Sequence, residues 1–127
     1  MRLTRDKWEE IVAHAREEAP NECCGVIRLR DGAAHDVLRA KNDRASPYGY
    51  SLDAASLLAA FNAAEDGYGV AIYHSHPRSP AEPSQTDINL AEYPDYLYVI
   101  VSLAGEPDVR AWRIERGDVA EEPVEVA

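Results

Sequence analysis

Residues 69–76 read GVAIYHSH, and residues 77–87 continue PRSPAEPSQTD. The first run is apolar and β-branched up to its histidines, which predicts a strand. Pro77, Pro80 and Pro83 then forbid regular structure, because proline brings no backbone donor to a helix or a sheet ladder. His74 and His76 therefore stand at a strand end that faces a stiff loop. Residues i and i+2 of a strand project from one face, so both imidazoles can reach one cation while Ser75 points away.

Asp87 follows His76 by 11 positions. The three prolines between them reduce the entropy lost on fixing a third ligand. Ser84 to Glu92 reads as a short helix ending before Pro94, and Asp87 falls in its first turn, where the positive helix end favours an ionised carboxylate. Two histidines and one carboxylate form a common ligand set for a catalytic zinc, with a fourth position left to water. Taken alone, Ser84-x-x-Asp87 reads first as a capping box. The upstream His-x-His shifts the weight to metal, since capping explains neither imidazole. His14 and His35 read as ordinary surface or half-buried residues.

Upstream, Trp8, Ile11, Val12 and Ala15 recur at helical spacing from Thr4, a plausible N-cap, until Pro20 closes the segment. CCGVIRLR (23–30) and AAHDVLRA (33–40) flank Asp31-Gly32 and predict a hairpin. A second helix is expected after Asp53, with Ala54, Leu57, Leu58 and Phe61 on its apolar face and Gly67 at its end. Downstream, YLYVIVS (96–102) is an unbroken apolar run, as in a strand buried on both faces at the sheet centre. VRAWRIE and DVAEEPVEV flank Arg116-Gly117, where the Gly117-Asp118 pair suits a two-residue turn. The sum is an α/β architecture, a mixed sheet with helices packed against it.

With 127 residues, 46% hydrophobic and 28% charged, the chain is expected to be one domain, folded throughout except for its last few residues. No apolar run reaches the roughly 18–20 residues of a membrane helix, and the N-terminus lacks a signal-like stretch, so the expected location is cytoplasmic with no membrane partner. A net charge of −10 repels phosphate backbones and argues against nucleic acid. Cys23 and Cys24 are adjacent, lack C-x-x-C spacing, and read as packed strand residues.

The pattern His74-Ser75-His76, seven residues, Ser84, two residues, Asp87, preceded by Glu22-Cys23-Cys24-Gly25-Val26-Ile27, resembles the JAMM or MPN+ metallopeptidases. The likeness runs from LTRDKWEEIVAHAR through AEYPDYLYVIVS to EEPVEV. It is similar to the short bacterial branch, whose members include an enzyme removing cysteine from the C-terminus of a ubiquitin-like sulfur-carrier protein. The resemblance implies a single JAMM/MPN domain over 1–127, with a cytidine-deaminase-like mixed sheet and helices on both sides. It implies Zn2+ held by His74, His76 and Asp87, Glu22 as general base, and Ser84 stabilising the oxyanion. The implied partner is a ubiquitin-like or sulfur-carrier protein whose C-terminal Gly-Gly is joined to cysteine or a lysine side chain.

Without the resemblance, nothing selects Glu22 among 23 acidic residues. The departures, a doubled cysteine at Cys23 and the proline-rich loop after His76, bear on substrate specificity. Competing readings are a zinc amidohydrolase acting on another small amide, and a non-catalytic MPN scaffold, although scaffolds of this kind lose ligand residues that are all present here. A deaminase is disfavoured, because His76 stands where the catalytic glutamate of His-x-Glu belongs and the Pro-Cys-x-x-Cys pair is missing.

Overall fold

Asp31 and Gly32 adopt φ values of 53° and 77°, the left-handed conformations a two-residue turn requires. Strand β2 (Cys24–Arg30) thereby folds back on β3 (Ala33–Ala40). In the computed structural model, which describes residues 1–127, this hairpin lies inside an eight-stranded mixed sheet. The other strands are β1 (Arg2–Leu3), β4 (Gly69–His76), β5 (Leu97–Ser102), β6 (Asp108–Glu115), β7 (Asp118–Glu122) and β8 (Glu125–Val126). Their order is β7-β6-β5-β4-β2-β3-β1-β8. The β4–β5, β1–β3 and β1–β8 pairs are parallel, and the remaining pairs are antiparallel.

Helices cover both faces. Along β4, Ala71 and Tyr73 join one apolar cluster with Ile11, Val12 and Ala15 of α1 (Arg5–Glu18). Val70 and Ile72 join the other cluster, with Ala60 and Ala63 of α2 (Ala54–Glu65). The same alternation divides β5, Leu97, Val99 and Val101 facing α1 and Tyr98 facing α2. All six β5 residues are buried, as expected of a strand interior to the sheet. Each fully buried Val, Leu or Ile contributes about 1.5–3 kcal/mol, so the fold rests on these layers. No helix is long and apolar enough to cross a membrane.

Four expectations need correction. His14 is buried, on the face of α1 that packs against the sheet, with its Nδ1 2.7 Å from the Tyr73 hydroxyl. The buried stripe of α2 is Ser56, Ala60 and Ala63, while Leu58 and Phe61 are exposed. Small side chains let this helix lie close to the sheet, and the larger residues are left at its rim. The second hairpin turns on Arg116 and Gly117, with φ of 53° and 82°, one residue earlier than Gly117-Asp118, because Asp118 is already paired with Glu115 in the ladder. The last residues, expected outside the fold, pair with the first: Arg2 aligns with Glu125 and Leu3 with Val126.

Candidate active site

Strand alternation places the histidines. His74 and His76 share the parity of Val70 and Ile72 and so face the α2 side, beyond the end of that apolar cluster. Ser75 points to the opposite face, where its hydroxyl accepts from the Cys23 N–H at 2.8 Å. That bond, with Ser75 N–H donating to the Cys23 carbonyl at 3.1 Å, pins β4 to the segment leading into β2. The proline-rich loop then crosses over the strand end and delivers α3 (Gln85–Leu90), whose third residue is Asp87.

Three ligand-type atoms converge. His74 Nε2 lies 3.2 Å from His76 Nε2, and Asp87 Oδ2 lies 3.2 Å and 2.9 Å from these two nitrogens. His76 Nδ1 is 2.7 Å from the Pro80 carbonyl, which only accepts, so Nδ1 carries a proton and Nε2 is the atom that faces Asp87, donating to the carboxylate when the ring is protonated and free to ligate when a cation takes that proton's place. Asp87 Oδ2 already accepts from the Ser84 N–H at 2.9 Å. Lone pairs directed at one another repel unless a proton or a cation lies between them. A triangle of this size can be capped by an ion about 2.0–2.2 Å from each atom, the usual zinc distance to nitrogen and oxygen. Two imidazoles and a carboxylate are therefore a donor set that fits zinc.

The electrostatics agree with that chemistry. Burial pushes the His74 pKa down, leaving a neutral ring suited to ligation. Burial opposes charge on His76 too, but its bonds to Asp87 and Pro80 outweigh it and raise the pKa. Burial likewise works against ionisation of Asp87, yet its bonds to the two histidines and the Ser84 N–H hold it well below the usual carboxylate range.

Glu22 stands two residues before the start of β2. The β2–β4 register pairs Cys24 with His74, and continuing it by two residues sets Glu22 opposite His76 on the same face. Glu22 is 5% exposed, and its Oε1 is buried with no hydrogen-bond partner. Burial raises its pKa to about 7, against the opposing pull of His76. A carboxyl poised there can take and return a proton near neutral pH. Ser84 caps α3, its hydroxyl accepting from the Asp87 N–H at 3.0 Å, and its own hydrogen remains available to donate.

Further residues shape the site without a signal in the periodicity. Tyr50 stacks on His74, ring centroids 4.4 Å apart and planes within 19°. Asn42 ties the loop before α2 to Glu22, its amide donating to the Glu22 carbonyl at 2.9 Å. Its one sequence-level hint is an Asx turn, the Arg44 N–H donating to Asn42 Oδ1 at 3.1 Å. A cavity of about 400 Å³, lined in part by Tyr50, Asp87 and Arg44, opens beside the three converging side chains. Cys23 and Cys24 are buried and free, and neither lines this cavity.

Residues 4–115 match the model of the prokaryotic homologs of the JAB domain. The CysO-cysteine peptidase of Mycobacterium tuberculosis is 41% identical over 130 residues, covering 98% of this chain and 89% of the relative. The desampylase of Haloferax volcanii is 39% identical over 121 residues, covering 87% and 86%. A solved protein from Desulfitobacterium hafniense superposes with a TM-score of 0.84 at 34% identity, covering 99% of this chain and 92% of its own.

Proposed function

The chain belongs to the prokaryotic JAB-domain family, and from that membership we propose that this metallopeptidase, with Zn2+ as cofactor, cleaves the bond after the C-terminal Gly-Gly of a ubiquitin-like or sulfur-carrier protein. The convergence of His74, His76 and Asp87 beside the unpaired buried carboxyl of Glu22 supports this reading best.

A zinc ion held by those three residues would polarise the scissile carbonyl and lower the pKa of water from about 15.7 toward about 7. Glu22 accepts the proton of the attacking water, a task suited to a carboxyl whose pKa is raised to about 7. The Ser84 hydroxyl donates to the developing oxyanion, oriented by the bond it accepts from Asp87 N–H. Glu22 then hands its proton to the leaving amine. No covalent intermediate is required.

The substrate assignment draws on relatives named for CysO-cysteine and for desampylation. The burial of the site supports a glycine tail independently. His74, His76 and Glu22 are 1%, 4% and 5% exposed, so a scissile bond reaches them only if the chain around it carries no bulk. Mass spectrometry of a carrier ending in Gly-Gly-Cys, before and after incubation with the zinc-loaded protein, tests the reading. Loss of cysteine is expected, with no cleavage of a Gly-Val counterpart or of casein. A Gly-Gly-Cys conjugate and a Gly-Gly-lysine isopeptide conjugate both left intact would refute it.

A further inference from the structure

The segment between β3 and α2 is folded around one side chain. Asn42 Oδ1 accepts from the Arg44 and Ser51 N–H groups at 3.1 and 2.9 Å, and its Nδ2 donates to the Glu22 and Gly49 carbonyls at 2.9 and 3.1 Å. The Glu22 N–H donates in turn to the Ser46 carbonyl at 2.9 Å. This loop is therefore clamped to the backbone of Glu22, and Arg44 projects from it into the cavity wall.

The Arg44 guanidinium packs against Gly49. A Cβ at residue 49 would stand 2.7 Å from Arg44 Cζ and would overlap Nη1, so glycine makes the space the guanidinium occupies. Arg28, Arg39, Arg110 and Arg113 all bind carboxylates. Arg44 makes no ion pair, and only its backbone N–H is engaged in a hydrogen bond. An unpaired guanidinium lining a cavity, in a chain of net charge −10, is placed to receive an anion.

We propose that Arg44 binds the α-carboxylate of the departing residue, so that the preferred substrate is a carrier joined to the α-amine of a single amino acid whose own carboxylate is free. The inference rests on the peptidase reading above and narrows its leaving group. Glu22 protonates the leaving amine, and in an amino acid the carboxylate is attached one carbon away from that amine. Its receptor must be near Glu22 yet not paired with it. Arg44 meets both conditions: its loop is bonded to the Glu22 backbone through Asn42 and Ser46, it lines the same cavity as Asp87, and it forms no salt bridge with Glu22. A lysine isopeptide offers no carboxylate at this position, since its leaving amine ends a four-carbon stem. The cavity, about 400 Å³, has room for a single amino-acid residue.

The test compares two probes, a carrier ending in Gly-Gly-Cys with a free carboxylate and the same carrier ending in Gly-Gly-cysteine amide. The wild-type protein is expected to favour the acid in kcat/KM on the order of 10- to 100-fold, the range of a charge-assisted bidentate pair. In Arg44→Ala that ratio falls to near one, and in Arg44→Lys it takes an intermediate value. Gly49→Ala keeps the charge but displaces the guanidinium, and it too lowers the ratio. Equal wild-type rates on acid and amide, or a ratio that Arg44→Ala leaves unchanged while both rates drop, would overturn the role of Arg44 and leave the peptidase reading standing. Cleavage of neither probe by the wild-type protein would overturn the inference, and the peptidase reading with it where a carrier joined through Gly-Gly to a lysine side chain is also left intact.

Discussion

Ser84 and Asp87 hold one another reciprocally: the Ser84 hydroxyl accepts from the Asp87 N–H at 3.0 Å, and Asp87 Oδ2 accepts from the Ser84 N–H at 2.9 Å. The same Oδ2 meets both imidazoles. One oxygen thus serves the helix start and the converging nitrogens together, and capping and ligation are compatible uses of a carboxylate with several lone pairs. The cap fixes the carboxylate before any ion arrives, which lowers the ordering cost of a third ligand.

Asp87→Ala is therefore expected to lose zinc and peptidase activity together while keeping the fold. Loss of the cap costs about 1 kcal/mol, and α3 buries no residue, so the layers around β4 and β5 are untouched. Elemental analysis and circular dichroism on the same sample check this. Zinc retained in stoichiometric amount by the variant would remove Asp87 from the ligand set.

The placement of His74 and His76 was legible because strand alternation is a strict rule and the apolar run before them sets the phase. Asp87 was legible in spacing, though capping and ligation read as rivals, whereas the oxygen that caps the helix is also the one that meets both imidazoles. Glu22 carried no local signal, because its position opposite His76 comes from strand pairing across about 50 residues of chain, and only family resemblance singled it out. Arg44 and Tyr50 were invisible for a related reason. Their loop has no periodicity, and its shape is dictated by the four hydrogen bonds of Asn42. The buried face of α2 was misread because apolar periodicity weights large residues, whereas close helix–sheet approach selects Ser56, Ala60 and Ala63.

Gly25 and Tyr73 face each other across β2 and β4. A Cβ on Gly25 would lie 2.5 Å from the Tyr73 hydroxyl and closer still to its ring. The ring cannot yield cheaply, since it is fully buried and its hydroxyl is 2.7 Å from His14 Nδ1. Gly25→Ala should destabilise the fold by about 1–3 kcal/mol, the usual cost of overpacking. Thermal unfolding at fixed metal content reads the effect directly, and an unchanged melting temperature would contradict the packing argument.

Burial pushes the Cys23 thiol up to about 11 and the Cys24 thiol up to about 12. Since the thiolate is the reactive form, neither cysteine should be alkylated by iodoacetamide in the folded protein at pH 8, and both should react in guanidinium. Rapid labelling of the native protein would show that the β2 start opens far more readily than its packing implies.

Glu22→Gln separates chemistry from stability. The amide preserves size but cannot accept the water's proton, so zinc should be retained while kcat/KM falls on the order of 100-fold or more. Stability should move the other way. In the metal-free protein the folded-state pKa of Glu22 is raised by burial from 4.5 to about 7, which means ionisation disfavours the folded state. That penalty is absent below the unfolded value of 4.5, grows between 4.5 and about 7, and is constant above it. Glutamine carries no such penalty. The melting temperature of the metal-free variant should therefore match the wild type at the acid end of this window and exceed it at pH 8. Differential scanning calorimetry of both proteins after chelation, across that pH range, measures the difference with other titrations cancelled. A variant less stable than the wild type at pH 8 would mean that the buried carboxylate is satisfied in the folded protein, and the case for Glu22 as a poised, unpaired base would fall with it.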